Sequence, residues 1–440
     1  MPDQTTDNKS VIEPKCARHV STALALWHRW QAWIIGPLLI GLIGVLLTWG
    51  CDYASYLNRR LLEHFPQSPI IVLPFGFAFI VYLVRRFFRG GQGDGIAQTL
   101  ATLNDADPRK KHHLLSIRIL IGKFVTVMGG LAVGASIGRD GPLVQIGASV
   151  MHLFYGKGQE TTAPQRRMLI MAGGAAGIAA AFSAPLAAIV FAFEVLSGKQ
   201  VFKNRSLLML AVILCALVSL SLLGQNTYFG ATTAFLYGLE NAPAVILCGL
   251  VGGLVGGVFS RLMIRMSFNP PRMLAGLVWN RPLLFAAFCG VGVALLGILT
   301  DNLAFGSGDE ATRTMLHASG SSFAWYYGLA KMAAVFLSAI SGIPGGLIAP
   351  SLAAGAGLGD SLSQLFPSLA PHGAMVLMVM AAYLSGVTRA PLTALVLTVE
   401  ITSGMHLLLP LLVVVLIASA VSKLINPQPL YQTLTERFTH

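Results

Sequence analysis

What this sequence has least of is charge. Only 11% of its 440 residues are Asp, Glu, Lys or Arg, against roughly 25% in a soluble globular chain. So few ionised side chains cannot coat a water-facing surface, which excludes an ordinary soluble enzyme. Disorder is excluded too, because an unfolded chain needs low hydrophobicity and high charge, whereas 55% of these residues are hydrophobic. Five cysteines are present, none in CxxC spacing. Cys215, Cys248 and Cys289 sit inside apolar runs and read as small buried hydrophobes, neither disulfides nor metal ligands. The ten His form no HExxH or paired ligand spacing, and no Gly-x-Ser-x-Gly elbow occurs, so no catalytic centre, metal or cofactor is expected. What remains is an all-α polytopic membrane protein with the lipid bilayer as its surroundings.

The scarce charge is lopsided, 30 Lys and Arg against 18 Asp and Glu, a formal +12. The basic residues fall in short runs between apolar segments: Arg85, Arg86 and Arg89; Arg109, Lys110 and Lys111; Arg166 and Arg167. Such runs mark cytoplasmic loops, and without an aromatic-interleaved basic face no nucleic-acid partner is expected. Residues 1–30 carry Lys9, Lys15, Arg18 and Arg29 but no long apolar core of a signal peptide, and read as a cytoplasmic segment. Residues 31–50 form an apolar run of about one bilayer crossing. A mixed loop over 51–69 is expected next, then a second span over 70–84 ending at the Arg85 cluster.

Beyond that point the hydropathy is cut by Gly and Pro. Residues 128–137 are broken at Gly138-Arg139-Asp140-Gly141-Pro142, and 179–182 at Ser183-Ala184-Pro185. Backbone that leaves a helix at membrane depth survives only where protein buries it or it lines a watery cavity, so the breaks point to a transport path. The chain also repeats itself. Ala184-Pro185-Leu186, Glu194 and Ser197-Gly198 match Ala390-Pro391-Leu392, Glu400 and Ser403-Gly404 at an offset of 206. Gly91-x-Gly93-Asp94 with Thr99 matches Gly306-x-Gly308-Asp309 with Thr314 at an offset of 215. Pro142 with Gly147 resembles Pro350 with Gly355. The expected organisation is therefore a first membrane repeat over 31–225, a second over 226–427 and a short cytoplasmic tail over 428–440. Matched offsets do not say whether the halves are parallel or inverted.

Each Gly-rich break can start a helix. The leading N–H groups of a helix are unpaired and carry about half a positive charge, so converging starts bind an anion without a buried cation. The plainer reading is that small residues let helices pack closely; it suits scattered Gly better than Gly-x-x-Gly-Pro at matched places in a repeat.

These segments resemble the CLC family of chloride channels and chloride/proton antiporters. Gly138-Arg139-Asp140-Gly141-Pro142 is similar to the family's G-[KR]-E-G-P segment, and Gly93-Asp94-Gly95-Ile96-Ala97 to its G-S-G-I-P segment. Gly345-Gly346-Leu347-Ile348-Ala349-Pro350 is similar to G-G-x-F-x-P, and Gln428-Pro429-Leu430-Tyr431 to the run bearing an anion-coordinating tyrosine. The likeness spans about residues 31–435 in order. It implies a homodimer with one pore per subunit, built from inverted repeats of many short, tilted, broken helices. It implies chloride as bound ligand, held around Asp94, Gly95, Ile96, Gly138, Arg139, Gly141, Gly346, Leu347, Ile348 and Tyr431, with Asp140 and Tyr431 as gates. It further implies a prokaryotic type in a bacterial inner (plasma) membrane, both termini cytoplasmic, and no CBS pair, since nine residues follow Tyr431.

Departures from the family pattern shape the functional expectation. Asp140 stands where the family has its gating glutamate; it keeps the acid but is one methylene, roughly 1.5 Å, shorter. Its alternative role is an N-cap beside Arg139. Asp94 replaces a serine, and an ionised carboxylate there would repel chloride by about 4 kcal/mol at about 4 Å and an effective dielectric of about 20. Protonation, rotation toward the cytosolic mouth or use as a helix cap would relieve this, the last two being favoured. Ile348 replaces a phenylalanine at a point where the backbone makes the contact. Val195 occupies the place of an inner proton-accepting glutamate, and Glu194 beside it reads as structural because Glu400 repeats it. Asp309 and Glu310 read as solvent-facing loop acids. The leading expectation is transport of chloride and similar small anions, channel-like or weakly proton-coupled. The alternatives are a chloride/proton antiporter with Asp140 as its proton-linked gate, and a fluoride-handling variant, against which Asp140 argues.

Overall fold

A computed structural model describes residues 15–105, 113–154, 163–197, 205–224, 227–236, 238–317 and 323–438, with the backbone alone for 15–30, 163 and 239. Lys9, the Arg109–Lys111 run, Gly198 and the expected boundary at 225/226 lie outside the described residues. The first half comprises α1 (Lys15–His64), α2 (Pro69–Phe87), α3 (Ile96–Asn104), α4 (Ile117–Ala132) and α5 (Asp140–Leu153). It continues with α6 (Ala163–Phe182), α7 (Pro185–Phe191) prolonged by a π turn over Ala192–Leu196, and α8 (Arg205–Leu223). The second half comprises α9 (Ala242–Phe268), α10 (Arg272–Asn280), α11 (Pro282–Leu299), α12 (Asp309–His317) and α13 (Tyr327–Ile340). Then follow α14 (Ile348–Leu365), α15 (His372–Thr388), α16 (Pro391–Thr402), α17 (Leu408–Ile425) and the short α18 (Leu430–Thr435). Among the described residues no strand is formed, as the all-α expectation requires.

Among the described residues six helical stretches are long and apolar enough to cross a bilayer. Others are too short, such as α3 and α12 at 9 residues each, and they begin or end where Gly and Pro cut the apolar runs. Ser183, at φ 53°, separates α6 from α7, and Pro185 then opens α7, where its missing N–H costs nothing.

One expectation is corrected. Residues 51–64 are no loop; α1 continues through them to His64. Cys51, Ala54, Asn58 and Leu62 recur at three- and four-residue spacing and are all buried, while Asp52, Arg59, Arg60 and Glu63 lie on the other face. That is an amphipathic stripe. Asn58 fastens it by donating to the Ala132 carbonyl at 3.1 Å, and Arg60 pairs with Glu63 one turn on at 3.7 Å.

The relative orientation of the halves follows from two reciprocal contacts. Glu194, just beyond α7, accepts the N–H groups of Leu392 and Thr393 at the start of α16, at 3.1 and 2.6 Å. Glu400, near the end of α16, accepts those of Leu186 and Ala187 at the start of α7, at 3.1 and 2.8 Å. Each helix thus ends beside the other's beginning, so the equivalent helices α7 and α16 are antiparallel. Gly138 and Gly346, equivalent at an offset of 208, likewise exchange N–H···O bonds at 2.9 and 2.7 Å. Contacts of this self-complementary kind require a local two-fold axis, and an axis perpendicular to antiparallel helices makes the repeats inverted.

The interior is closely packed through small residues, the plainer role foreseen for glycine. A Cβ on Gly147 would lie 2.1 Å from the Gly173 carbonyl oxygen, between α5 and α6; on its counterpart Gly355 it would lie 2.8 Å from Met380 Cα, between α14 and α15. Cys51, Cys215, Cys248 and Cys289 are free and buried, as read for the three within apolar runs.

Candidate anion site at the helix starts

Three helix starts and one short helix converge on the Gly138–Gly346 bridge. α5 starts at Asp140, directly after Gly138-Arg139. α14 starts at Ile348, directly after Gly346-Leu347. α3 starts at Ile96, after Gly95 in the left-handed region at φ 115°. A side chain at Gly95 would be strained there and would also place a Cβ 2.5 Å from the Gly141 oxygen. α18 brings in Tyr431, which is buried.

The amides that open α14 are occupied by two carboxylates. Leu347 N–H donates to Asp94 Oδ1 at 3.2 Å. Ile348 N–H donates to Asp140 Oδ2 at 2.8 Å and Ala349 N–H to Asp140 Oδ1 at 3.4 Å. Asp140 thus reaches across the local two-fold to the other half, while its carboxylate also faces the Asp140 and Gly141 amides at the start of its own helix. Its shorter side chain does reach that far. At residue 348 the contact to Asp140 is made by the backbone N–H.

Both acids depend on glycine for room. A Cβ on Gly346 would lie 2.5 Å from Asp140 Cγ, and one on Gly141 1.8 Å from Asp94 Oδ1. Asp94 also lies within electrostatic reach of Asp140, Lys123 and the Ile96 amide. Asp94 caps the start of α14, faces the Ile96 amide of its own helix and lines a cavity, an arrangement compatible with both favoured reliefs. Its Oδ2 holds no backbone N–H, and the Tyr431 hydroxyl faces the Asp94 carboxyl, with Asp140 also within electrostatic reach.

Lys123 escaped the sequence reading. It is fully buried on α4 and donates from Nζ to the Gly93 carbonyl at 2.5 Å, tethering the break before α3. Its counterpart Lys331, also fully buried, donates to the carbonyls of Ala304, Phe305 and Gly306 at 3.0, 3.4 and 2.7 Å. The signal was present: a single Lys in each of two apolar helices, 208 residues apart, the offset of Pro142 and Pro350.

Other expected site residues stand elsewhere. The Arg139 guanidinium points away from the carboxylates, 3.2 Å from Asp52 Oδ1 and 5.4 Å above the Tyr228 ring centroid. Asp309 is not a free loop acid, since Tyr228 donates to it at 2.7 Å; Glu310 is exposed and pairs with Arg59. Val195 is buried in the π turn, and Glu194 is committed to α16. A cavity adjoins the carboxylates on one side, lined in part by Asp94, Gln98, Ser136, Leu347 and, toward its mouth, Arg85 and Arg437; Asp140 does not line it.

Broken inverted repeats around opposed helix starts, with anionic groups seated on their amides, define a membrane transporter for small anions. The chain belongs to the voltage gated chloride channel family, whose model matches residues 76–423, and its fold and anion transport are those of that CLC family. It is 28% identical over 414 residues to the H(+)/Cl(-) exchange transporter ClcA of Citrobacter koseri, covering 90% of this chain and 86% of the relative. The protein of the same name from Yersinia pseudotuberculosis is 28% identical over 428 residues, covering 92% and 87%. A crystal structure of a slow cyanobacterial Cl-/H+ antiporter superposes with TM-score 0.77 at 24% identity, covering 93% and 97% of the two chains. A CLC-type fluoride/proton antiporter superposes with TM-score 0.76 at 24% identity, covering 92% and 98%.

Proposed function

We propose that the protein exchanges chloride, or a similar small anion, for protons across a bacterial inner membrane, with Asp140 as the proton-linked gate. The observation that carries this is the Asp140 carboxylate on the Ile348 and Ala349 amides. Leading amides of a helix are an anion's natural seat, so the ionised side chain fills a place a chloride would take. A protonated carboxyl loses the charge that holds it there. Proton on and anion in therefore go together, while proton off and anion in compete for one place. No cofactor is needed, because the helix starts supply the positive potential. The basic cavity mouth at Arg85 and Arg437 faces the cytoplasm by the positive-inside rule, with both termini on that side, and the subunit pairs with a second copy.

The exchange reading displaces the channel-like one that the sequence favoured, and the relatives named as exchange transporters support the change. A channel-like path keeps one point in its favour: Val195 offers no acid at the inner position. The deciding experiment is proton movement by protein reconstituted in liposomes under an outward chloride gradient. Uphill proton uptake is expected, and its loss in Asp140→Ala. Chloride flux without proton movement in the unaltered protein would return the reading to a passive pathway. Fluoride flux measured beside chloride in the same vesicles is expected to be the smaller.

A further inference from the structure

Asp140 is fully buried and does not touch the Arg85–Arg437 cavity, so a proton reaching it from that side needs a carrier. Asp94 is the group in place. It lines the cavity, is 8% exposed, and accepts from Leu347, the amide next to the one held by Asp140. Successive Cα atoms lie about 3.8 Å apart, which sets the two acids side by side on one helix start. Its Oδ2 holds no backbone N–H, and the Tyr431 hydroxyl faces the carboxyl, so an oxygen is open to a carried proton. We propose that Asp94 is a second proton-carrying carboxylate of the transport path, passing protons between the cavity and Asp140. The inference rests on the exchange reading above and names how the inner half of the proton route is made in a chain with Val195 at the inner position.

The transfer balances simply. The O–H bond of protonated Asp94 breaks as one forms on the Asp140 carboxylate, leaving Asp94 ionised, and a hydronium ion arriving through the cavity then reprotonates Asp94 and leaves as neutral water. The groups facing Asp94 suit both states. Lys123 on α4, Asp140 on α5, the Leu347 amide of α14 and the Tyr431 hydroxyl on α18 all face Asp94, two groups that attract a carboxylate and one acid that repels it among them. The two acids exchange one proton between them, so the site keeps its net charge while the proton advances.

The test compares proton and chloride movement in liposomes for the unaltered protein, Asp94→Asn and Asp94→Glu. Asp94→Asn should lower the ratio of protons to chloride moved by roughly tenfold or more, the scale of a lost proton-transfer group, and Asp94→Glu should restore most of it. Coupling that persists unchanged in Asp94→Asn overturns the proposal while leaving the exchange function standing. An unaltered protein that moves no protons overturns both. If Asp94→Asn does not fold, Asp94→Glu and the unaltered protein still decide. Lengthening the carrier should alter the dependence of proton flux on cavity-side pH, and an identical profile in the two counts against a proton on Asp94.

Discussion

Glu194 and Glu400 each cap the helix that carries the other's half of the molecule. Both carboxylates accept two successive backbone N–H groups at the start of a helix opened by Pro, and Glu194 also accepts the Thr393 hydroxyl at 2.7 Å. A carboxylate so engaged is a structural fastener, which separates Glu194 from proton traffic despite its place beside Val195.

Replacing Glu194 with Ala leaves those amides without their acceptor. The expected cost is about 1–3 kcal/mol, read as a lower temperature of thermal unfolding in detergent, with the proton-to-chloride ratio unchanged. A collapse of that ratio in folded protein would put Glu194 on the proton route after all.

The Asp140 gate fixes the sign of the pH response. Acid protonates the carboxyl, weakens its hold on the Ile348 and Ala349 amides and opens the seat, so chloride flux should rise as pH falls. Asp140→Ala should abolish the response. Flux that declines in acid, measured by chloride efflux at stepped pH, contradicts a gate of this kind.

Gly346→Ala tests the seat without touching an ionisable group. The new methyl would occupy the space of the Asp140 carboxylate, so it should displace the side chain and flatten the pH response in the same direction as Asp140→Ala. A normal response in Gly346→Ala would mean that Asp140 does not need this seat.

Lys331→Met removes the donor shared by three carbonyls. Stranding buried acceptors and losing hydrogen bonds from a charged group should cost about 3 kcal/mol. Thermal unfolding is the measurement, and a variant as stable as the parent would show that these carbonyls find other donors.

Much of this was legible because the sequence states it twice. The breaks at Gly138 and Gly346, the helix-opening Pro185 and Pro391, and the glutamates that follow them recur at near-constant offsets. Composition left few buried acids to choose among, so Asp94, Asp140, Glu194 and Glu400 stood out. What escaped has physical causes. An offset reports which residues are equivalent but carries no direction, so the inversion needed the reciprocal hydrogen bonds. The end of α1 was read as loop because its charges were counted without asking which face they share. Asp94 could turn several ways, and its place between the Leu347 amide, Lys123 and the cavity is set by elements far off in sequence. Lys123 and Lys331 escaped because only basic residues grouped in runs between apolar segments were read, and each of these stands singly inside an apolar helix.

The Gly138–Gly346 bridge and the paired glutamate caps are self-complementary: each contact is written by one stretch of sequence meeting its own equivalent. Two copies of a half-length chain, inserted in the bilayer facing opposite ways, would therefore form these same bonds without altering a residue at them. In the single chain the two halves differ most tellingly at the centre. Asp140 has Ile348 as its partner position, so the equivalent places now hold an acid on one side and the amide that receives it on the other.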